Sequence, residues 1–577
     1  MIKLQNISAN WARLWRLLDP KSRAKYSLVI ALSVIVALLE IAGLGILLHT
    51  VLSILNPDFI QENEVINYLY ELFQTKSEQK FILIITVLLF ASYVLKNIVL
   101  VQINKWQVQL AFDISTLLAD KHYTFLTRNE LLYFSHRKSA DIINEVIAIS
   151  LSFTEGVLLS SVVVFAELFM IVFMLIGILI YQPALFLFTL VSIVPIAAIL
   201  IYSNRKALTL QGQQLRDLYT RLFQNISEFT YGITQIKLGN SAHYSLNEHS
   251  KIREEMYAYK KSIYIRSTHV PPRVYEVMAI AGILCVVLYG VYGQLGSGAM
   301  ISATSIYAGV SFRLLPSMNR VIVSSNTLST NTYILDYLER SGQFATEDTK
   351  FSKVELQRSI RLNTVSFGYT TDNEIISKLD LTIHKGDFIG FIGQSGEGKS
   401  TLVNLICSLI TPTSGSISLD DKLVSSENLK GYRHLFSYVK QEVFMLDESV
   451  LHNVAFFDEN PDEQRVLECL KKVNLGEWID HLPDGIHTHV GEVGKQVSGG
   501  QRQRIAIARA LYNNAEIFIF DEVTNNLDTE SKEQTLNVIS TLKEQGKTAI
   551  FITHKEDELE LCDKVYSLHD KQLSEVQ

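Results

Sequence analysis

The segment Gly393-Gln394-Ser395-Gly396-Glu397-Gly398-Lys399-Ser400 follows an apolar run at 388–392 and precedes a helical pattern that begins at Thr401. A strand, a glycine-rich loop and a helix start, in this order, are the setting of a phosphate-binding loop. Glycine lets successive backbone N–H groups curl around phosphate oxygens, where a side chain would collide. Lys399 is placed to reach the β- and γ-phosphates, and the Ser400 hydroxyl to hold Mg²⁺. The segment therefore predicts binding of a nucleoside triphosphate, whereas a glycine-rich surface turn would need no such setting.

Length and composition indicate more than one domain. The chain has 577 residues, which is too long for a single hydrophobic core. Hydrophobic residues make up 48% and charged residues 19%, and the long uncharged runs are confined to the first 330 residues. The net charge of −7 gives no support for nucleic-acid binding, so no nucleic-acid partner is expected.

Six apolar segments each approach the roughly 20 residues that a helix needs to cross a bilayer. They run over residues 26–55, 81–103, 156–180, 184–202, 274–291 and 301–324. Basic residues precede the first span and acidic residues follow it, which places both chain ends in the cytoplasm. We expect a multi-pass protein of a bacterial-type cytoplasmic (inner) membrane. Residues 1–25 are predicted to form an amphipathic helix that lies on the membrane surface.

The two long inner segments, 104–151 and 204–269, are basic, and each has the pattern helix, break, helix. A helix that continues ~15 residues beyond the bilayer reaches ~22 Å into the cytoplasm. We predict turns at 131–139 and 226–234 that contact the nucleotide-binding part of the chain, with solvated hairpins as the alternative.

The predicted fold has two parts. Residues 26–338 form an α-helical transmembrane domain with six spans and long cytoplasmic helix extensions. Residues 339–353 form a polar linker, and strands alternate with helices from 354 to 577, as in an α/β P-loop domain.

Charged residues inside the spans need a partner or a role, because an unpaired charge costs ~2.5–3.5 kcal/mol or more at mid-membrane. Arg313 and Arg320 are seven residues apart, so they share a face of the sixth helix. Two interpretations remain open. The arginines line a cavity that receives an anionic group such as phosphate, or they pair inside the protein, while Lys96 reaches the interface. The possible internal partners are Glu40, Glu167 and Glu276.

Strand ends in the α/β part carry further candidate residues. The strand at 517–520 ends in Asp521-Glu522, and the strand at 548–553 leads to His554. Asp521 is placed to complete an Mg²⁺ shell, and Glu522 to orient or deprotonate a water molecule. His554 lies within reach of a γ-phosphate, and Tyr369 can stack on adenine. Taken singly these are ordinary residues, and their order around one phosphate loop is what indicates a site.

A second anion-binding helix start lies at Ser498-Gly499-Gly500-Gln501, where a serine hydroxyl joins the helix N-terminus. One nucleotide cannot fill two separated sites in one domain. Two copies arranged head to tail resolve this, with each nucleotide between Lys399 of one copy and Ser498 of the other. The pattern therefore predicts a dimer.

Over essentially its whole length the chain resembles ATP-binding cassette exporter half-transporters. The matching motifs are the phosphate loop, Gln441, Ser498–Gln501, Asp521-Glu522, Leu527-Asp528, His554 and the segment 488–494. The resemblance implies a cassette ATPase that uses ATP and Mg²⁺. The implied catalytic residues are Glu522, His554 and Gln441, and the implied Mg²⁺ residues are Ser400, Gln441 and Asp521. The implied ATP-binding residues are Tyr369, Gly393, Gln394, Ser395, Gly396, Glu397, Gly398, Lys399, Ser400, Thr401, Ser498, Gly499, Gly500, Gln501 and Asp528, the last across a dimer interface.

Two positions depart from the family pattern. Val497 stands where leucine is usual, and Asn525-Asn526 stand where serine-alanine is common. The second departure leaves the coupling across the interface open. Because Glu522 and His554 are both kept, both sites of a homodimer are expected to hydrolyse ATP.

A further similarity, to lipid-linked oligosaccharide flippases, rests on the segments 65–73, 272–275 and 312–320. It implies ATP-driven export or flipping of a lipid-linked oligosaccharide or another phosphate-bearing lipid. The implied substrate residues are Lys96, Arg273, Arg313 and Arg320. Two alternatives remain: an exporter of peptides or hydrophobic drugs, and a nucleotide-gated channel or regulator. The expected protein partner is a second half-transporter, an identical chain.

Overall fold

A computed structural model describes residues 5–55, 64–73, 78–181, 183–292, 297–343, 352–370, 373–394, 396–525 and 527–576. The chain forms two compact units. The first contains Met1–Asn129 and Arg137–Ala345, and the second contains Glu130–His136 and Thr346–Gln577. The first unit is helical and the second is an α/β domain, so the predicted fold class is confirmed.

Long helices make up the first unit, and each predicted span lies within helical residues. Their bounds are α1 Gln5–Leu17, α2 Pro20–Leu55, α3 Glu64–Leu72, α4 Glu78–Arg128, α6 Ser139–Ile147, α7 Ser160–Tyr181, α8 Pro183–Tyr231, α9 Ile233–Leu238, α10 Ala242–Tyr264, α11 Val270–Tyr292, α12 Ser297–Thr330 and α13 Tyr333–Gln343. The segments Ala148–Ser152, Thr154–Leu159 and Ile265–His269 are π-helical. Helix α4 has 51 residues and is therefore ~76 Å long, far more than the ~30 Å of a bilayer core.

Within the described residues, four helical stretches are long and apolar enough to cross a membrane. They are 20–47, 79–128, 154–180 and 242–292. The fourth and sixth predicted spans lie in α8 and α12, outside this set. Arginines and many hydroxyl residues lower the mean hydropathy of α12, and many side chains of the fourth span lie outside the described part.

The first predicted inner turn is a short helix, α5 (Leu131–Ser135), which belongs to the second unit. The Leu131 N–H donates to the Leu409 carbonyl over 3.2 Å, and the Thr411 hydroxyl donates to the Glu130 carboxylate over 2.6 Å. Leu132 packs against the core of that unit. The predicted contact of this turn with the nucleotide-binding part is therefore confirmed.

The second inner turn lies within the predicted range 226–234. Helix α8 continues to Tyr231 and breaks at Gly232, and a second break follows at 239–241. Glycine weakens a helix because its backbone loses more freedom on folding than that of other residues. Contact of this turn with a nucleotide-binding domain stays a prediction.

One face of the N-terminal helix packs against protein, and its position at a membrane surface stays a prediction. Leu14 and Leu18 are 2% and 1% exposed and lie in one apolar cluster with residues of α13. Arg13 pairs with Asp336 at 2.5 Å and with Glu339 at 2.6 Å. Helix α13 continues to Gln343, so the first part of the predicted linker, 339–353, is helix.

A sheet that is parallel except for its edge strand β10 organises the second unit, in the strand order β10-β9-β3-β8-β7-β6, and a second, antiparallel sheet has the order β2-β1-β4-β5. The strands are β1 Ser359–Thr370, β2 Asn373–His384, β3 Phe388–Ile392, β4 Ser414–Leu419, β5 Lys422–Leu423, β6 Phe436–Val439, β7 Ile517–Asp521, β8 Thr548–Ile552, β9 Lys564–His569 and β10 Gln572–Glu575. The helices are α14 Lys399–Ile406, α15 Leu429–Arg433, α16 Val450–Val454, α17 Glu463–Lys472, α18 Gly476–Asp480, α19 Gly499–Tyr512, α20 Thr529–Glu544 and α21 Glu556–Leu559.

Strands β3, β7 and β8 are buried apolar runs, as expected for parallel strands covered on both faces. Phe391 of β3 pairs with Ile552 of β8, and Ile552 pairs with Asp521 of β7. The carboxyl ends of the three strands therefore meet at one edge of the sheet, which positions the residues that follow each strand.

Close packing of α8 on α12 depends on Gly212. A Cβ atom at this position would lie 2.2 Å from the Thr330 carbonyl oxygen, whereas one at Gly177 of α7 would meet nothing within 4 Å. We expect Gly212→Ala to destabilise the chain by about 1–3 kcal/mol through overpacking. Gly177→Ala is the matched control and should be neutral or stabilising. Thermal unfolding of the purified chain in detergent measures both, and equal melting temperatures for the two variants would contradict the close approach.

Candidate functional site

The carboxyl edge of the parallel sheet holds a cavity of about 380 Å³ in the second unit. Its lining residues are Tyr369, Ile375, Gly396, Gly398, Lys399, Ser400, Thr401, Gln441, Asp521, Glu522, Ile552 and His554. Ten of these twelve were predicted as site residues. The other two, Ile375 and Ile552, are apolar and carry no chemical signal in the sequence.

The phosphate loop wraps around the Lys399 side chain. Its ammonium group donates to the carbonyls of Gly393 at 2.5 Å and Gln394 at 2.9 Å. Gly398 precedes α14 with φ of 103°, and a Cβ at Gly393 would lie 2.7 Å from the Leu568 carbonyl oxygen. Glycine is therefore required at both positions. Ser395 lies outside the described residues.

Glu397 adds a carboxylate to this loop. It accepts the Gln394 N–H at 2.5 Å and lies 3.0 Å from Nδ1 of His569, at the end of β9. The contact with His569 holds the pKa of Glu397 below its ordinary value and raises the pKa of His569. The negative charge of Glu397 thus has a partner in His569, a residue that the sequence motifs did not indicate.

The two acidic residues at the end of β7 each accept hydrogen bonds from side chains. Gln441 Nε2 donates to Oε2 of Glu522 over 2.6 Å, and Tyr438 donates its hydroxyl to Oδ2 of Asp521 over 2.9 Å. Burial raises the pKa of Asp521, and the bond from Tyr438 opposes that rise. Glu522 has φ of 48°, a left-handed conformation that non-glycine residues rarely adopt.

The remaining lining residues flank these acids. The Tyr369 hydroxyl lies 3.3 Å from the Thr401 hydroxyl, and its ring meets Phe367 edge to face at 5.1 Å. His554 is exposed and follows β8 by two residues. Stacking of adenine on Tyr369 and contact of His554 with a γ-phosphate stay predictions.

The second predicted anion site has the geometry of a helix cap. Ser498 Oγ accepts the Gln501 N–H at 3.2 Å, and Gln501 Oε1 accepts the Ser498 N–H at 2.8 Å. Gly499 and Gly500 form the first turn of α19. Asp528 caps α20 by accepting the Ser531 N–H at 2.8 Å, which lowers the pKa of its carboxyl group. As far as the described residues show, none of these residues lines the cavity around Lys399.

In the first unit, each basic residue proposed for the substrate pairs with a carboxylate. Glu40 lies 3.1 Å from Lys96 and 3.4 Å from Arg313. Arg320 pairs with Glu167, and Arg273 pairs with Glu276 at 2.9 Å. The arrangement matches the internal pairing that the sequence left open as an alternative. A role of these residues in substrate binding stays a prediction.

Sequence reasoning did not identify Tyr438 as part of the site and noted Asn525 only as a departure. The available signal was strand register. Tyr438 lies on β6, three residues before Gln441, and β6 pairs with the strand that ends in Asp521. Asn525 follows Glu522 by three residues, a spacing at which side chains in a turn can meet.

Comparisons with known proteins agree with this geometry. The family model described as ABC transporter matches residues 376–525. The chain is 29% identical over 389 residues to the ATP-dependent lipid A-core flippase of Saccharophagus degradans, which covers 67% of this chain and 65% of that protein. The uncharacterized ABC transporter ATP-binding protein YwjA of Bacillus subtilis is 24% identical over 519 residues, 87% of each chain.

Alignments with the lipid A-core flippases are partial. They span 68% of the protein from Bordetella avium and 37% of the one from Ralstonia nicotianae. The solved structure of a bacterial Atm1-family ABC exporter with ATP bound superposes with a TM-score of 0.75 at 17% identity, over 96% of this chain and 94% of that one. Residues 376–525 therefore carry the ATPase domain of ABC transporters, and the chain as a whole has the fold of an ABC exporter half-transporter.

Proposed function

We propose that two copies of this chain form an ATP-driven exporter in a cytoplasmic membrane, and that its cargo is an amphipathic lipid with a phosphate group. Lipid-linked oligosaccharides and lipid A-type glycolipids both belong to this class. The relatives named ATP-dependent lipid A-core flippases support the class. The observation that carries the substrate proposal is a surplus positive charge among the paired residues of the predicted spans.

That surplus follows from the charge pairs. Glu276 is matched by Arg273 at the start of the same helix, where both side chains are exposed. The remaining basic residues within the predicted spans are Lys96, Arg313 and Arg320, and their carboxylates are Glu40 and Glu167. Three cations thus share two carboxylates. A positive charge in an apolar surrounding favours an anionic ligand, because its desolvation is compensated only by an opposite charge.

Arg313 is the cation best placed for such a ligand. Its contact with Glu40 is the longer of the two at that carboxylate, 3.4 Å against 3.1 Å for Lys96. Its Nε is buried and has no hydrogen-bond partner among the described residues. The Nε–H of Arg313 can therefore donate a hydrogen bond to a phosphate oxygen that lies in the plane of the guanidinium group.

ATP hydrolysis is assigned to the cavity around Lys399. The loop N–H groups and the Lys399 ammonium hold the phosphates, and Glu522 accepts a proton from the attacking water. The water oxygen bonds to the γ-phosphorus while the bond to the β–γ bridging oxygen breaks and ADP leaves. Signature residues of the second copy, Ser498–Gln501, would close the site, so closure of two cassettes drives the change from inward to outward access.

The donor set at this cavity fits Mg²⁺. Ser400, Gln441 and Asp521 line it together and offer a hydroxyl, an amide and a carboxylate oxygen. Hard oxygen ligands of this kind are those that Mg²⁺ prefers. When bound, Mg²⁺ neutralises charge that develops on the phosphate oxygens. We therefore propose ATP and Mg²⁺ as cofactors.

Reconstituted ATPase activity tests the substrate proposal. We expect stimulation by a phosphate-bearing glycolipid and none by the same lipid after phosphatase treatment. Arg313→Ala should need a roughly tenfold higher lipid concentration for half-maximal stimulation, because a charge-assisted hydrogen bond is lost. Glu40 keeps Lys96 in this variant, so no carboxylate is left unpaired. Arg221→Ala, which removes an exposed arginine paired with Glu255, is the matched control.

Other results would select the alternatives. Stimulation by peptides or hydrophobic dyes, unaffected by Arg313→Ala, would indicate a peptide or drug exporter. Glu522→Gln should lower turnover about 10²–10⁴-fold if Glu522 is the general base. Substrate movement that persisted at the full rate in this variant would indicate a nucleotide-gated channel.

Tyr438 should tune the affinity for Mg²⁺, because residues that hydrogen-bond a metal ligand fix its orientation. We expect Tyr438→Phe to raise the Mg²⁺ concentration for half-maximal nucleotide binding by roughly tenfold or more. A fluorescent ATP analogue, titrated with Mg²⁺ in the Glu522→Gln background, measures binding without turnover. Tyr566→Phe, on β9 of the same sheet, is the control. An unchanged Mg²⁺ dependence in Tyr438→Phe would contradict the proposal that Tyr438 positions Asp521 as a Mg²⁺ ligand.

A further inference from the structure

We propose that Asn525 is a positioning residue for Glu522, the residue assigned above as the general base. The inference rests on the proposed ATPase function and goes beyond it, because Asn525 belongs to the pair that departs from the family pattern. It does not line the cavity among the described residues, so its effect must pass through Glu522.

Two contacts join Asn525 to Glu522. Its side-chain Nδ2 donates to Glu522 Oε2 over 2.6 Å, and its backbone N–H donates to the Glu522 carbonyl over 3.2 Å. One residue therefore binds both the carboxylate and the main chain of Glu522, which closes a turn around the acid.

Glu522 needs such support because its backbone is in an unfavourable conformation. Its φ is 48°, in the left-handed region where a Cβ crowds the main chain. The Glu522 N–H is held by the Ile552 carbonyl at 2.9 Å. Such conformations persist when surrounding contacts over-determine them, and they are common at functional sites.

The backbone that carries Asn525 is itself anchored. The preceding residue, Thr524, is 1% exposed, donates its hydroxyl to the buried Glu558, and accepts a bond from Lys555 Nζ at 3.0 Å. Asn525 therefore projects its amide from a fixed point. A serine, which is common here in exporters, has a shorter side chain and no amide.

Two amides reach the same carboxylate oxygen. Gln441 and Asn525 each lie 2.6 Å from Glu522 Oε2, one from the end of β6 and one from the turn after β7. With Oε2 held from two sides, Oε1 is the oxygen that accepts a proton from water. The two hydrogen bonds orient the carboxylate so that water approaches Oε1. The bond from Asn525 contributes to this orientation independently of the bond from Gln441.

Steady-state ATPase kinetics of Asn525→Ala and Asn525→Asp test this role. We expect kcat to fall about tenfold for alanine and further for aspartate, which places a second carboxylate beside Glu522. The KM for ATP and the affinity for a fluorescent ATP analogue should change by less than about twofold, because Asn525 does not touch the nucleotide site. Asn537→Ala, an exposed asparagine on α20, is the control and should leave kcat unchanged.

Single-turnover measurements in the Glu522→Gln background separate positioning from a general structural effect. There Asn525→Ala should change the residual rate by less than about twofold, because the base it positions is gone. An equal further loss in that background, or a fall in nucleotide affinity together with kcat, would overturn the inference. So would unchanged kcat in both Asn525 variants of an active chain. If the parent chain had no ATPase activity, both the proposed function and this inference would be overturned.

Discussion

The register of three parallel strands is the constraint on which the nucleotide-binding unit depends. Phe391, Ile552 and Asp521 lie side by side across β3, β8 and β7. Because side chains that follow parallel strands emerge at one edge, this register alone assembles a phosphate loop, two acids and a histidine around one cavity. A shift by one residue would move the acids by ~3.3 Å relative to the loop and exchange the faces to which their side chains point.

Around this edge, neutral donors adjust the acids. Tyr438 and Gln441 of one strand end reach Asp521 and Glu522 of the next, and Asn525 adds a third donor. A positively charged partner would be shared between the carboxylate and the phosphate. Hydroxyl and amide groups instead orient a carboxylate and leave its charge in place. In the helical unit the opposite principle holds. There Glu40 and Glu167 compensate two of the three positive charges of Lys96, Arg313 and Arg320 in apolar surroundings.

Much of the fold and site was predictable because the signals are local. Long apolar runs such as 81–103 specify helices, and glycines that must adopt positive φ, such as Gly398, mark the phosphate loop. Contacts between distant residues carry no such pattern. Packing of Leu14 and Leu18 on α13, the pairing of Arg13 with Glu339 and the partner of Glu397 all join residues more than 150 positions apart. These contacts pack one face of the N-terminal helix against α13, and the first part of the predicted linker is helix.

The sequence by itself determined the chemistry at each strand end and the class of the fold, since spacing and residue type suffice for phosphate binding and for apolar helices. Only the tertiary structure decided how charges are shared. Lys96 and Arg313 are two separate cationic residues in the sequence, yet both lie at one carboxylate, Glu40. Likewise, Asn525 differs from an ordinary turn residue only because the left-handed backbone of Glu522 brings the two side chains together. Electrostatic and hydrogen-bond partners depend on distances of a few ångströms between elements, and these are set by packing.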